Sequence, residues 1–150
     1  MTNVQIQTSN NFFSKRDKLH EMTVHLDYKF HKHNKSCVKK MHEVGGNSKL
    51  DLKNKRVLKG RVSNGKYAEI QMSRGIIEWH SHPSKCKDNE YCTVDTPYDS
   101  DLVNILLGSL YGLQAHLIYS GHGIWVVRVT LKLVNDLKKH PKKIRPLIQR

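Results

Sequence analysis

Residues 76–83, Ile-Ile-Glu-Trp-His-Ser-His-Pro, constrain this chain more than any other stretch. Ile76 to Trp79 has the character of a strand, and side chains alternate between the two faces of a strand. His80 and His82 therefore point the same way, about 7 Å apart along the strand rise, close enough to converge on one divalent ion. Pro83 has no N–H to give to a ladder, so the strand is expected to end there and leave the pair at its rim. Beyond a polar loop, Thr96-Pro97-Tyr98-Asp99-Ser100-Asp101 reads as a helix start. Thr96 suits the N-cap, Pro97 the first helical position and Asp99 the reciprocal cap. Asp101 then falls in the second turn, able to face back toward the histidines. Two histidines and one carboxylate, with a fourth position left to water, is the ligand set of a catalytic zinc site.

The rest of the chain suits one domain built around that stretch. At 150 residues it is long enough for a real core. Apolar content is only 37%, but the apolar residues fall into periodic segments, so disorder is not implied. Residues 1–19 are polar and Asn-rich, with Phe12-Phe13 the one apolar pair, and are expected to form a loose arm. Met22, Val24, Leu26, Tyr28 and Phe30 alternate with polar residues and predict a strand with one buried face. Residues 36–42 suit a short helical turn, 50–52 and 56–63 short strands. Asn64-Gly65 marks a hairpin leading to a strand over Tyr67–Met72. Leu102, Ile105, Leu106, Leu110 and Leu113 recur at helical spacing, and Gly112 suits the residue just past the helix end. Two strands, Ala115–Ser120 and Ile124–Val129, and a helix over 131–140 complete the domain, which thus runs from 20 to 140. The expected class is α+β, with a mixed, mostly antiparallel central sheet flanked by helices.

Charge is the strongest compositional feature: the net charge is +13. It favours an anionic partner such as nucleic acid, an acidic protein or a membrane surface, or serves only as a self-repelling surface. Its densest part is the tail 141–150, where Lys142, Lys143, Arg145 and Arg150 stand without an acid. The first twenty residues hold no apolar core of a signal peptide, and the most apolar region, 102–129, is broken by polar residues, so no membrane span is expected. Cys37, Cys86 and Cys92 are an odd number, which suits reduced thiols in a cytoplasmic or nuclear compartment.

Other metal-capable residues compete with the H-x-H pair. His31, His33, Cys37 and His42 lie close in sequence, but no carboxylate or paired cysteine completes a set, and a basic connection is the preferred reading. Cys86 and Cys92 lack the tight spacing of zinc knuckles and are read as reduced thiols on a flap bordering the substrate groove. Glu78 shares a face with His80 and His82, so spacing nominates it as base or ligand; its place one strand step deeper, away from the open side of the metal, argues against the base role. Amidohydrolases also use H-x-H, but their barrel needs about 250 residues.

His80-x-His82-Pro83, the helix start carrying Asp101, and Glu43-Val44-Gly45-Gly46 upstream together resemble the JAB/MPN family, whose proteolytic members are the JAMM metalloproteases. The resemblance covers roughly residues 36–130 and implies a cytidine-deaminase-like α+β architecture. It implies Zn2+ held by His80, His82 and Asp101, with Glu43 as general base. Tyr98 stands where the family has the serine that stabilises the oxyanion, and the loop after Pro83 is longer than usual. The implied activity is hydrolysis of a peptide or isopeptide bond, in a substrate of ubiquitin-like or other protein class. The alternative is a non-catalytic MPN-type module that binds a partner protein or nucleic acid through its basic surface.

Overall fold

The computed structural model describes residues 5–9, 21–51, 53–65, 75–83, 97–121 and 123–143. The first strands are β1, Gln5–Ser9, and β2, Glu21–Leu26, joined antiparallel with Gln5 opposite His25. Part of the segment expected to be a loose arm is thus a sheet edge. The strand expected over 22–30 stops at Leu26. Asp27 takes an extended conformation, its carboxylate accepts the Lys29 N–H at 3.1 Å, and helix α1 runs from Tyr28 to Cys37. An N-cap aspartate satisfies one of the free donors of the first turn, and this local gain redirects an alternating pattern into a helix. The buried residues of α1 are Phe30, His31, Asn34 and Cys37. Two of these are polar, so the helical stripe is hard to see in the sequence.

Strands β3, Val44–Asp51, and β4, Arg56–Asn64, form an antiparallel hairpin with a register shift between Gly46 and Ser48. Strand β3 is longer than expected and takes in Gly45-Gly46. A Cβ on Gly46 would collide with the Arg61 carbonyl and press on the Trp79 indole, so glycine is required by close approach. The expected Tyr67–Met72 strand lies outside the described residues. Strand β5, Ile77–Ser81, is buried at every position. Helix α2 spans Asp99–Leu110, strand β6 Ala115–Ser120, strand β7 Gly123–Val127 and helix α3 Leu131–Lys139; a single 3-10 turn, Pro141–Lys143, follows. Thr96 and Arg145 and Arg150 of the tail lie outside the described residues, as does the loop with Cys86 and Cys92.

The seven strands make one sheet in the order β1-β2-β4-β3-β5-β6-β7. The pairs β2/β4 and β5/β6 are parallel and the other four are antiparallel. The fold is therefore α+β with a mixed, mostly antiparallel sheet. Parallel neighbours need a crossover, and α2 is the crossover between β5 and β6. One face of the sheet packs against α1, where Phe30 joins Val44, Val57, Ile77, Trp79, Leu117 and Tyr119 in a single core. Trp79 is its centre, edge-on to Phe30 at 6.4 Å and to Tyr119 at 6.0 Å. On β5 and β6 the alternate residues Glu78, His80, His116 and Ile118 face the other way, toward α2, whose Ile105 packs with Ile118 and Leu113.

The capping role of Asp27 is measurable. Asp27→Ala should lower unfolding free energy by about 1 kcal/mol, and Asp27→Asn, which keeps the acceptor, by clearly less. Chemical denaturation of the three proteins checks this.

Candidate metal centre

Parallel pairing of β5 with β6 delivers the carboxyl end of β5 to the start of α2. The ladder continues one residue past Ser81, because the His82 N–H donates to the Tyr119 carbonyl at 2.8 Å. Pro83 follows and has no donor to extend it. On the other edge β5 pairs with β3, Gly45 opposite His80. Ser81 turns its hydroxyl toward the same neighbour: Oγ accepts the Val44 N–H at 3.0 Å and donates to the Val44 carbonyl at 3.2 Å. The residue just before Val44 is Glu43, and the alternation of strand faces puts its carboxylate on the histidine side.

The result is a small group of donor atoms from three separate segments. His80 Nε2 and His82 Nε2 are 3.0 Å apart. Glu43 Oε1 lies 3.7 Å from the first and 4.0 Å from the second. Asp101 places Oδ1 3.4 Å from His80 Nε2 and Oδ2 3.1 Å from His82 Nε2. Among the described residues, Glu43, His80 and His82 are the one group of three whose donor atoms lie mutually within 4.8 Å.

Helix α2 begins two residues later than its sequence suggests. Tyr98, extended, is the N-cap, and Asp101 is its third helical residue, with Oδ2 accepting the Tyr98 N–H at 3.0 Å. Asp101, not Asp99, thus makes the reciprocal capping contact, and it lies in the first turn rather than the second. The same carboxylate caps the helix and faces both histidines. Tyr98 lies over the His82 ring, centroids 4.7 Å apart.

Burial is deeper than a rim position implies. Exposure is 2% for His80, 1% for His82 and 3% for Glu43, and Asp101, with 15% of its side chain exposed, is the most open of the four. Burial drives the His80 pKa down to about 4, against a partial upward pull from Asp101. Burial alone would raise Asp101, but its close contacts with His80 and His82 and the Tyr98 N–H outweigh this and hold its carboxyl below the ordinary range. A neutral imidazole and an ionised carboxylate are the forms that bind a cation.

The donor set fits a metal. Bonds of about 2.0–2.1 Å in a tetrahedron put neighbouring ligand atoms roughly 3.3 Å apart. The His80–His82 contact of 3.0 Å and the two Asp101 contacts, 3.4 Å through Oδ1 and 3.1 Å through Oδ2, lie near that edge, the carboxylate offering a different oxygen to each imidazole. Those of Glu43, at 3.7 and 4.0 Å, are longer. Oxygen and nitrogen donors of this kind suit zinc and also other divalent ions.

The rival residues do not gather into a set of three, although His33 Nε2 and Cys37 Sγ lie 4.0 Å apart on one helical turn. Because residues 28–37 are helical, His31 and His33 diverge. His31 Nδ1 meets the Tyr119 hydroxyl at 3.2 Å, His33 meets Asn34 at 3.2 Å, and His42 meets Asn64 at 3.4 Å. Glu78, on the same face as His80 but one strand step earlier, lies beside His116, 3.9 Å from its Nδ1. His116, which sequence reasoning passes over, is within 2.6 Å of His80 Nδ1. Its alternation with Ala115 and Leu117 was visible; its register against Glu78 was not. Compared with known proteins, the chain matches no family model, no curated protein and no solved structure. No helix among the described residues is long and apolar enough to cross a membrane.

The pH dependence of the metal-free protein follows from His80. It titrates near 6.5 when unfolded and about 4 when folded. Between those values the unfolded chain binds more protons, so the stability tied to neutral His80 is complete above pH 6.5 and lost as pH falls toward 4. The Tm should drop across that window, and less steeply in His80→Gln. Parallel slopes for the two proteins would contradict it.

Proposed function

We propose that this chain is a zinc-dependent hydrolase of the JAMM type that cleaves a peptide or isopeptide bond. The observation that carries the reading is the meeting of Glu43, His80, His82 and Asp101 from three segments, with the acid nearest to β3 set slightly back from the other three. His80, His82 and Asp101 would hold the ion. Zinc, when bound, supplies a Lewis acid that polarises a carbonyl and acidifies water. Glu43 takes the proton of the attacking water and hands it to the leaving amine, which needs a carboxylate close to the ion but not consumed by it. Tyr98 lies against the His82 ring, and on this reading its phenol would donate to the developing oxyanion. Asp101, fixed by the Tyr98 N–H, keeps the helix start and the ligand set in one piece.

A second reading has its own support. The aromatic ring of Tyr98 covers His82 where a serine would leave space, and Lys138, Lys139, Lys142 and Lys143 are exposed at the end of α3. On that reading the chain is a non-catalytic module that binds an acidic protein or a nucleic acid, and the metal, if held, is structural.

Zinc content and hydrolysis decide between them. The purified protein should carry about one zinc per chain, and His82→Gln should remove it. Glu43→Gln should keep the zinc and lower hydrolysis of a panel of peptide and ubiquitin-like isopeptide substrates by at least ~10²-fold. Zinc without hydrolysis in the wild type supports the second reading. Absence of zinc after reconstitution contradicts the first.

A further inference from the structure

The cations of this chain are not spread evenly. Residues 27–61 hold eleven lysines and arginines against three acids, and all eleven are exposed. Each of the three acids is engaged or turned away. Asp27 caps α1 and lies 3.9 Å from Arg56. Asp51 accepts the Asn54 N–H at 3.2 Å and its side-chain amide at 2.8 Å. Glu43 is buried on the opposite face of the sheet, at the candidate metal centre.

The fold gathers these cations into one band. Lys29, Lys32 and Lys35 follow at intervals of three on the outer side of α1. Past Cys37 the chain keeps turning: the Lys39 and Lys40 N–H groups donate to the Ser36 and Cys37 carbonyls at 3.3 and 3.1 Å, so both residues stand at the end of the same ridge. Lys59 shares the α1 face of β4 with Val57, close enough to Cys37 for its charge, like that of Lys40, to act on the thiol. At the other end of α1 the tip of the β3/β4 hairpin is tied to the helix start. The His25 N–H donates to the Lys55 carbonyl at 2.8 Å, and the Asp27 N–H to the Val57 carbonyl at 3.0 Å. Positive charge thus runs from Lys55 and Arg56 along α1 to Lys59.

Charge and shape together select the partner. Phe30, Cys37 and Val38 are buried, so the ridge has no apolar stripe to insert into a lipid surface. Protein interfaces put aromatic and apolar residues at their centre and are poor in lysine. A phosphate backbone needs only cations in a row. Single strands are held by stacking of bases on open aromatic rings, and Tyr28, the exposed aromatic of the ridge, has Lys32 Nζ 5.7 Å from its ring centroid. A helix about 10–12 Å across enters the major groove of B-form DNA, about 12 Å wide, but not the deep, narrow major groove of duplex RNA.

We propose that the lysine ridge of α1 is a docking surface for duplex DNA, held through its phosphates without regard to sequence. The exposed side of α1 carries no Asn, Gln or Arg to read base edges. The ridge lies across the sheet from the metal centre and does not depend on it. It is also distinct from the lysines at the end of α3, where Lys143 is paired with Asp136 at 3.2 Å.

The test titrates a labelled duplex of mixed sequence into the full-length protein over a series of salt concentrations, with two variants of equal charge loss. Lys29→Gln/Lys32→Gln/Lys35→Gln should lower the slope of log affinity against log salt by about 2.7, three contacts at about 0.9 each, and weaken binding at low salt by at least ~10-fold. Lys138→Gln/Lys139→Gln/Lys142→Gln should leave both near the wild-type values. Amine acetylation of the unaltered protein, read by mass spectrometry, needs no variant to fold: bound duplex should shield Lys32 and Lys39 and leave Lys138 open. Equal weakening by the two triple variants would reduce the effect to net charge and overturn the proposal, as would shielding of Lys138 without Lys32. Tighter binding of single-stranded DNA, of duplex RNA or of anionic lipid vesicles would overturn the choice of partner. Absence of duplex binding at low salt would overturn the surface itself.

Discussion

The hydroxyl of Ser81 binds both backbone polar groups of one residue, the N–H and the carbonyl of Val44. Everything at the candidate centre depends on that clasp between β5 and β3. Strand β5 brings the histidines and β3 begins one residue after Glu43, so a slip of one residue between them would turn Glu43 to the Trp79 face. Ser81 is fully buried and lies between the two histidines in sequence, which couples the placement of Glu43 to that of His80 and His82. The pairing on the far edge does the same for the helix: β6 must lie parallel to β5, and α2, the crossover this requires, starts at the carboxyl end of β5 with Asp101 in its first turn.

That arrangement makes the centre a meeting of strand ends and a helix start, a common place for a ligand in sheets with parallel neighbours. It also accounts for the electrostatics. The free N–H groups of the α2 first turn favour an anion there, and Asp101 supplies one that both caps the helix and faces the imidazoles. Burial keeps His80 neutral, while close contacts keep Asp101 ionised. The opposite preferences of the two groups leave a site with negative charge, lone pairs and little water.

Some of this could be read from residues alone. The shared face of His80 and His82 follows from alternation, and the end of the strand from Pro83. Asp101 follows from a helix start, although the cap falls on Tyr98, two residues past Thr96, which moves Asp101 from the second turn into the first. Glu43 had no local mark; only the likeness of Glu43-Val44-Gly45-Gly46 to a known pattern singled it out. Helix α1 was missed because Asp27 stopped an alternating run and because its buried positions include His31 and Asn34. His116 was missed for a different reason. Its partnership with Glu78 and His80 is a property of strand register, and register is set by contacts distant in sequence.

The most direct measurement is X-ray absorption at the zinc edge of the reconstituted protein. A centre formed by His80, His82 and Asp101 should give a shell of only nitrogen and oxygen at about 2.0–2.1 Å, with outer-shell scattering from two imidazoles. A sulfur scatterer at about 2.3 Å would place the ion at a cysteine instead, and scattering from three imidazoles would bring His116 into the ligand set; either result would contradict the site described.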